Sequence, residues 1–376
     1  MTIESLARSL ARAIPASAPA LKAGYRASER MLSTLGGNWP SLIRARTEKI
    51  TIAITAHCNL RCKGCKYGRD FMPGAQLPLE TVRLLLEDAA AAKVPAVRLY
   101  GGEPLLHPDV VEMVKISNDL GVGCYMTTNA LILDKKIVAL HAAGLRKVTI
   151  GYYGQDGAFD DYVQRPGRYA RLLESLENTR ALFGPDELDI QMNFLLSRRS
   201  ANLPAVNEMV DFANRFQASI HIDIVHYSLP YFDEGEDREL QFREEDRPAV
   251  DLVINHLLQL KIANPKLFTE SATAIAAFAD WALKQEAMRI PCDARKLLWV
   301  GADGSVMLCY VTFPLGNLHE TRLSEILYTQ AHHQAARDAF QLDCPNCHCE
   351  AASRVEKHAP SFRKYSRDAA ERLMAR

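Results

Sequence analysis

The sequence has no excess of charge of either sign, because 45 Lys and Arg residues stand against 45 Asp and Glu residues. A balanced chain gives no global electrostatic reason to expect nucleic acid or an anionic membrane as a partner. It also lacks any uninterrupted apolar run of about 18 residues, which a transmembrane helix would need. The N-terminus has no compact apolar run before a small-residue cleavage site, so no signal peptide is expected. We therefore expect a cytoplasmic protein without a transmembrane segment.

Cysteine, by contrast, is plentiful. Nine cysteines occur in 376 residues, three of them near position 60 and five between residues 292 and 349. A secreted disulfide scaffold would be small and rich in loops, and this chain is neither. Clustered cysteines in a large chain indicate metal or cluster ligation in a reducing compartment instead. The ninth, Cys124, lies within an apolar stretch and is expected in the core.

An alternation of strands and helices begins at residue 48. About six βα units in a row favour right-handed parallel crossovers and closure into a full or partial barrel. The predicted fold class is α/β, a partial (β/α)6 barrel of the TIM type, with chemistry on the loops that follow the strand ends. The strands are predicted at 49–56, 96–100, 123–127, 146–150, 188–196 and 219–226.

The remaining chain is divided around this barrel. Leu6, Leu10 and Ile14 recur at helical spacing in a basic N-terminal segment, which is interpreted as a helical extension packed on the main domain or, alternatively, as a contact to a partner or membrane surface. The acidic stretch 230–247 predicts a solvated loop. The predicted regions are an N-terminal helical extension (1–47), the barrel (48–228), a helical linker (229–290), a small cysteine-rich cluster-binding domain (291–350) and a C-terminal helical tail (351–376).

The first cysteine motif directly follows the first predicted strand. Cys58, Cys62 and Cys65 have the spacing C-x3-C-x2-C. Three thiolates on one tight loop can each bind one iron of a 4Fe–4S cube and leave the fourth iron open. Structural zinc is the alternative, but it requires four ligands, and His57 is too close in sequence for comfortable tetrahedral wrapping.

The second cysteine set begins with a predicted hairpin. Cys292 and Cys309 flank two apolar runs that are separated by a turn signal at Gly304. A C-x2-C pair, Cys344 and Cys347, follows with one cysteine beyond it. Four thiolates from a hairpin and a C-x2-C loop suit either zinc or a fully ligated 4Fe–4S cluster.

With its C-x3-C-x2-C motif after the first strand, the chain resembles the radical S-adenosylmethionine (radical SAM) superfamily. The resemblance covers roughly residues 48–228. It implies that Cys58, Cys62 and Cys65 hold the catalytic 4Fe–4S cluster and that the open iron binds S-adenosylmethionine. Reductive cleavage of that cofactor would give a 5′-deoxyadenosyl radical, which abstracts hydrogen from a substrate.

The resemblance also implies residues that contact S-adenosylmethionine. The G-G-E motif after the second strand resembles the family's site for the methionine amino group, and an arginine after the fourth strand matches one that pairs with the methionine carboxylate. Two departures occur: Gly64 stands where relatives often have an aromatic residue near the adenine, with Tyr67 as a substitute, and Gly151 or Tyr153 stands where relatives have Ser or Asp. The implied cofactor contacts are Gly101, Gly102, Glu103, Thr128, Asn129, Arg165 and Asn193.

Beside a radical SAM barrel, the second cysteine set resembles the SPASM and twitch extensions, which carry auxiliary iron–sulfur clusters. Five cysteines after residue 290 are too few for the full two-cluster pattern and match the shorter twitch form, with Cys292, Cys309, Cys344 and Cys347 as implied ligands of one second 4Fe–4S cluster. Cys349 is then a spare ligand, a hydrogen donor or structural, and His348 is expected to be exposed.

The resemblance implies an oxidoreductase-type enzyme that acts on a small molecule or a peptide. Its auxiliary cluster would assist oxidation, cross-linking or epimerisation, and an electron donor such as flavodoxin or ferredoxin would be needed. The alternative is a non-catalytic zinc or iron–sulfur protein that uses the barrel as a scaffold.

Overall fold

A computed structural model describes residues 18–235, 238–310 and 312–375 of the chain. The predicted helix around Leu6, Leu10 and Ile14 lies outside these residues, as do Glu236 and Asp237 of the acidic stretch. No helix within the described ranges is long and apolar enough to cross a membrane.

The centre of the protein is one nine-stranded sheet with the order β6-β5-β4-β3-β2-β1-β7-β8-β9. Neighbouring strands from β6 to β7 run parallel, and the last two pairs are antiparallel. Six consecutive parallel strands, each followed by helix, confirm the predicted partial (β/α)6 barrel. The strands are β1 (Lys49–Thr55), β2 (Ala96–Gly101), β3 (Gly123–Thr128), β4 (Lys147–Tyr152), β5 (Asp189–Leu196), β6 (Ser219–Ile224), β7 (Leu297–Val300), β8 (Ser305–Met307) and β9 (Pro314–Asn317).

Helices cover one face of this sheet. In β5 every second residue is buried, and Ile190, Met192 and Phe194 pack into the main core between sheet and helices. The alternate residues face the barrel interior, which we call the lumen. The helices are α1 (Ala18–Asn38), α2 (Leu79–Ala91), α3 (Val110–Asp119), α4 (Leu133–Ala142), α5 (Asp156–Val163), α6 (Arg168–Leu182), α7 (Leu203–Arg215), α8 (Arg247–Ala263), α9 (Ala272–Lys284), α10 (Leu323–Ile326), α11 (Gln330–Gln341), α12 (Ala351–Lys357) and α13 (Ala359–Met374).

The segment 346–350 spans the open side of the partial barrel. His348 stacks on His226, just beyond β6, with ring centroids 4.1 Å apart. At the other end, Glu350 accepts a hydrogen bond of 2.9 Å from Lys49, the first residue of β1. His348 is only 4% exposed, so the expectation that it faces solvent is wrong. A sequence pattern does not show that this short cysteine-rich stretch lies against the last barrel strand.

The N-terminal helix α1 packs on the chain's own C-terminal half. Glu29 is buried and forms ion pairs with Arg295 at 2.9 Å and Lys296 at 2.8 Å. The next residue, Arg30, lies over the ring of Phe362 in α13, 4.8 Å from its centroid. At least one of the basic side chains of this helix therefore contacts the protein's own C-terminal region.

The cysteine-rich region is fastened to the barrel by a forked ion pair. Arg322 donates two hydrogen bonds, of 2.8 and 3.0 Å, to the carboxylate of Asp88 in α2, and the backbone N–H of Ser324 donates a third of 3.1 Å. Burial alone would raise the pKa of Asp88, but these hydrogen bonds leave that pKa below its usual value. The carboxylate is therefore more acidic in the folded than in the unfolded chain.

We expect Asp88→Asn to lower the free energy of unfolding by about 1–3 kcal/mol at neutral pH, since hydrogen bonds to a charged acceptor are lost. The stabilisation is complete above the unfolded-state pKa and disappears as the pH falls through the lower folded-state pKa, so the deficit should shrink in acid. Urea unfolding at several pH values measures both effects. Glu87→Gln, at a half-exposed carboxylate 3.8 Å from Arg322, is the matched control; equal deficits in the two variants would contradict the assignment.

Candidate active site

Three cysteines lie on the loop that leaves β1. Cys58 is exposed, whereas Cys62 and Cys65 are half-buried. The loop is tightened by a hydrogen bond of 3.2 Å from Cys65 N to Cys62 O and by the guanidinium of Arg69, which donates to the carbonyl of Cys65. The three thiols are thus presented from one short, backbone-bonded turn at the carboxyl end of a barrel strand.

The glycine pair after β2 holds this loop in place. A Cβ on Gly102 would lie 2.6 Å from the carbonyl oxygen of Ala56 and would also overlap that of His57. Gly101 has a φ of +130° and would overlap Thr55 in the same way. The close approach allows hydrogen bonds of 2.8 Å from Gly102 N to Thr55 O and from Glu103 N to His57 O. Only glycine permits such contact between the end of β2 and the start of the cysteine loop.

The carboxylate of Glu103 joins the ends of β2 and β3. It has no exposed surface and accepts hydrogen bonds from Leu105 N at 2.9 Å, from the Thr128 hydroxyl at 2.7 Å and from Asn129 N at 2.7 Å. Burial raises its pKa, which the hydrogen bonds partly counteract. Its oxygens are therefore already occupied within the protein, a different environment from the open carboxylate that the motif implied.

A second amide extends the network to the cysteine loop. The Asn129 side chain donates a hydrogen bond of 2.7 Å to Asn59 Oδ1, which lies between Cys58 and Cys62 in sequence. Thr128 is buried, and its hydroxyl also accepts from Ala130 N at 3.0 Å. The predicted cofactor residues at the end of β3 thus connect the loop to the second and third strands.

The ring of Phe232 occupies the space beside Gly64. A Cβ on Gly64 would lie 2.6 Å from that ring, and Gly64 has a φ of +73°. The loop after β6 docks here through hydrogen bonds of 2.8 Å from Asp233 N to Gly64 O and from Lys66 N to Tyr231 O. Phe232 was not found from the sequence, because it lies far along the chain and carries no local motif.

Tyr67 does not take that position. It is buried, and its hydroxyl donates to the sulfur of Met72 at 3.3 Å. Its ring packs edge-on against Tyr231, 5.2 Å between centroids, within a second hydrophobic cluster on the lumen side. Tyr67 is therefore part of the hydrophobic core that lies beneath the cysteine loop.

The other implied cofactor residues lie on β4, β5 and the loop between them. A Cβ on Gly151 would overlap the hydroxyl of Tyr153, so the tyrosine fills the space above that glycine. Burial raises the pKa of Tyr153, and the nearby Cys62 raises it further. The Tyr153 ring therefore lies close to the cysteine loop. Arg165 has a buried Nε that finds no hydrogen-bond partner in the part of the chain that the structure describes. Asn193 is half-buried and pairs in register with Gly151.

All five distal cysteines line one cavity, and Cys349 is therefore placed together with the four predicted ligands. The predicted hairpin is confirmed: β7 and β8 are antiparallel, and Gly304 in their turn has a φ of +81°. The Cys349 thiol donates a hydrogen bond to the sulfur of Cys347, which lowers the pKa of Cys347 to about 7. The cavity is lined by Cys292, Cys309, Cys344, Cys347 and Cys349 together with Arg354 and apolar side chains.

Arg354 places a buried positive charge against this cavity. Its guanidinium donates to the carbonyls of Cys347 and Ile290 and, at 3.1 Å, to Asn346 Oδ1. The group also lies over the Trp281 ring, 4.6 Å from the centroid. Several thiolates around one metal group carry net negative charge, so a fixed cation beside them is favourable. Sequence reasoning missed Arg354 because it lies beyond the cysteine motif, in α12.

Burial disfavours the ionised form of the thiols at both sites. It raises the pKa of Cys58 to about 11 and that of Cys292 to about 12. Thiolates are the form that binds metal, so bound metal has to supply the positive charge that stabilises them here.

One group of metal-binding side chains lies outside both cysteine sets. Within the described residues, Asp223, His226 and His348 form the only group of three or more His, Cys, Asp or Glu ligand atoms that all lie within 4.8 Å of one another.

Comparison with known proteins agrees with the arrangement of the two cysteine sets. Residues 52–194 match the family model of the radical SAM superfamily. Residues 292–350 match the model of SPASM, an iron–sulfur cluster-binding domain. The chain therefore carries a radical SAM domain and a SPASM-type iron–sulfur cluster-binding domain. These domains imply a 4Fe–4S cluster, S-adenosylmethionine and auxiliary iron–sulfur ligation as its cofactors.

Individual relatives are similar over only part of their length. An AdoMet-dependent heme synthase of Methanosarcina barkeri is 29% identical over 168 residues, which are 44% of this chain and 46% of the relative. A GTP 3′,8-cyclase of Chlorobaculum tepidum is 31% identical over 165 residues, 43% of this chain and 49% of the relative. The chain spans about half the length of the curated relatives it matches.

Two solved structures share the fold. The enzyme anSMEcpe with bound AdoMet superposes with a TM-score of 0.62 at 14% identity, covering 88% of this chain and 98% of that one. SuiB of Streptococcus suis bound to the precursor peptide SuiA gives 0.61 at 14% identity, covering 79% of this chain and 68% of that one. At this identity the likeness extends to the fold alone.

We expect Gly102→Ala to destabilise the cysteine loop, because the added Cβ overlaps two backbone carbonyls that cannot move independently of β1. A loss of about 1–3 kcal/mol is typical of such overpacking. Thermal unfolding and the iron content after anaerobic reconstitution measure the effect. Gly157→Ala in α5, where a Cβ meets no atom within 4 Å, is the control. Unchanged melting and iron content in Gly102→Ala would show that the contact is dispensable.

Proposed function

We propose that the chain is an enzyme that uses S-adenosylmethionine and a 4Fe–4S cluster to abstract hydrogen from a small-molecule or peptide substrate. When bound, the cluster supplies the electron that cleaves the cofactor to a 5′-deoxyadenosyl radical. Cys58, Cys62 and Cys65 would hold that cluster. The single observation that carries the proposal is the Glu103 network, which fixes the cysteine loop against the ends of β2 and β3.

The cofactor-binding residues are proposed from the same arrangement. Gly101 and Gly102 would contribute by letting the start of the cysteine loop approach the end of β2 closely. Arg165 has a buried, unpartnered Nε and would pair with the methionine carboxylate. Asn193 would offer its amide from β5. Glu103, Thr128 and Asn129 would act mainly as positioning residues, since their polar groups hold one another.

The auxiliary site is proposed to hold one 4Fe–4S cluster on Cys292, Cys309, Cys344 and Cys347. The shared cavity and the Arg354 cation support this proposal. Cys349 lines the same cavity and would be an alternative ligand or a hydrogen donor. The net reaction would then be an oxidation, a cross-linking or an epimerisation, in a reducing compartment such as the cytoplasm and with a donor such as flavodoxin or ferredoxin. A peptide substrate gains support from the fold neighbour SuiB, whose structure contains its precursor peptide.

The decisive test is a comparison of three reconstituted proteins under strong reductant. The wild type should bind about eight irons, four per cluster, and form 5′-deoxyadenosine. Cys58→Ala/Cys62→Ala/Cys65→Ala should keep roughly half the iron and form none. Cys124→Ala, at a half-buried core position outside both sets, is the control and should match the wild type. Iron analysis and product chromatography give both readings.

Two results would contradict the proposal. A colourless wild-type protein that binds zinc and forms no 5′-deoxyadenosine would favour the alternative, a non-catalytic scaffold. Loss of all iron in the triple variant would exclude a second, independent cluster.

We expect Phe232→Ala to weaken the binding of S-adenosylmethionine, because its ring fills the place beside Gly64 where relatives carry an aromatic residue near the adenine. Loss of one aromatic contact is worth about 0.5–1.5 kcal/mol beyond lost area, or roughly threefold to tenfold in Kd. Equilibrium binding to the cluster-loaded enzyme measures it. Tyr67→Phe, which removes only a hydroxyl bonded to Met72, should bind normally; equal affinities in all three proteins would exclude the contact.

A further inference from the structure

One arginine in the lumen has no polar partner. Strand β2 alternates between two environments: Val97 and Leu99 are buried in the main core, whereas Arg98 and Tyr100 point to the opposite face. Arg98 is half-buried there, and its Nε is fully enclosed without a hydrogen bond. Across residues 18–235, 238–310 and 312–375, the structure gives its guanidinium no hydrogen bond and no ion pair. Its contacts are aromatic rings.

These rings belong to tyrosines whose hydroxyls are engaged elsewhere. The guanidinium carbon lies 4.7 Å from the ring centroid of Tyr100 and 5.8 Å from that of Tyr310. The Tyr100 hydroxyl donates to Tyr231 at 3.3 Å, and the Tyr310 hydroxyl bonds to Thr51 at 3.0 Å. Neutral phenols therefore surround the cation, but they do not neutralise it.

Two more deeply buried arginines of the protein, Arg295 and Arg354, are compensated. Arg295 forms ion pairs with Glu29 and Asp293, and Arg354 donates to backbone carbonyls. Partial removal of a cation from water without such partners is unfavourable, and contact with aromatic faces offsets only part of that cost. The remaining cost is offset when an anion enters. A guanidinium suits carboxylate and phosphate best, because its planar fork bonds two oxygens at once.

The position of Arg98 relates it to the proposed chemistry. Tyr100 packs in the same lumen-side cluster as Cys65 of the first cysteine loop. The second ring that the Arg98 guanidinium faces belongs to Tyr310, which directly follows Cys309 of the distal set. Arg98 therefore lies between the two cysteine sets, inside the barrel, where a substrate would meet the radical.

We propose that Arg98 binds an anionic group of the substrate, a carboxylate or a phosphate, and so fixes the substrate inside the lumen. The inference rests on the proposed function for the identity of the ligand as substrate. It adds a substrate class to that function: molecules or peptide side chains that carry a negative charge at a fixed distance from the reacting carbon.

The test uses the cluster-loaded enzyme with S-adenosylmethionine bound. Inorganic phosphate and succinate are titrated separately by calorimetry, so that the two sources of negative charge are distinguished. One of them should bind to the wild type, and Arg98→Met should weaken that binding by about tenfold or more. Arg98→Lys keeps the positive charge but not the planar fork of the guanidinium. Its affinity for the anion should lie between those of the wild type and Arg98→Met. Arg83→Met, at an exposed arginine of α2 paired with Glu80, is the matched control.

Iron content and S-adenosylmethionine affinity of Arg98→Met should equal those of the wild type, and its melting temperature should be equal or higher, because an uncompensated cation is removed. The proposal is overturned if neither anion binds to the wild type or if Arg98→Met binds as well as the wild type. Lost iron or an altered cluster spectrum in Arg98→Met would mean that Arg98 balances the charge of a cluster. Weaker binding of S-adenosylmethionine would mean that Arg98 holds the cofactor. Either result also overturns the proposal. If the wild type binds the anion through Arg98 but forms no 5′-deoxyadenosine, the proposed function fails separately.

Discussion

The buried carboxylate of Glu103 is the interaction on which the site depends. A carboxylate without exposed surface is stable only when its oxygens are bonded, and here Leu105, Thr128 and Asn129 supply the donors. Those donors lie on the segments that leave β2 and β3, so satisfying one charge also fixes two strand ends. Asn129 then bonds to Asn59 and carries the constraint into the cysteine loop. The position of the thiols is thus set by a polar centre that contains no thiol.

Much of this arrangement could be predicted from the sequence, because the informative signals are local. The alternation of apolar runs gave the six parallel strands, and C-x3-C-x2-C and G-G-E placed the loop and the glycine pair at adjacent strand ends. The turn at Gly304 correctly predicted the β7–β8 hairpin. In each case the physical cause, side-chain periodicity or a backbone conformation that requires glycine, acts within a few residues.

The features that could not be predicted are contacts between distant parts of the chain. Phe232 fills the space beside Gly64 through a loop that begins after β6, and Arg354 reaches the distal cavity from a helix outside the cysteine motif. His348 was expected at the surface, but the partial barrel leaves one side open and the segment that carries His348 covers it. Arg98 is a further case. The sequence places an arginine within a strand, but only the packing of the lumen shows that this arginine has no polar partner among the described residues.

The segment 346–350 links two processes that are usually considered separately. It contains two of the distal cysteines, and the same few residues bridge β6 and β1 through His348 and Glu350. Filling the distal site and closing the wall of the barrel therefore involve one stretch of backbone. Two of the cysteines proposed to line the auxiliary site are thus covalent neighbours of the residues that close the barrel, so a change at either place is transmitted directly to the other.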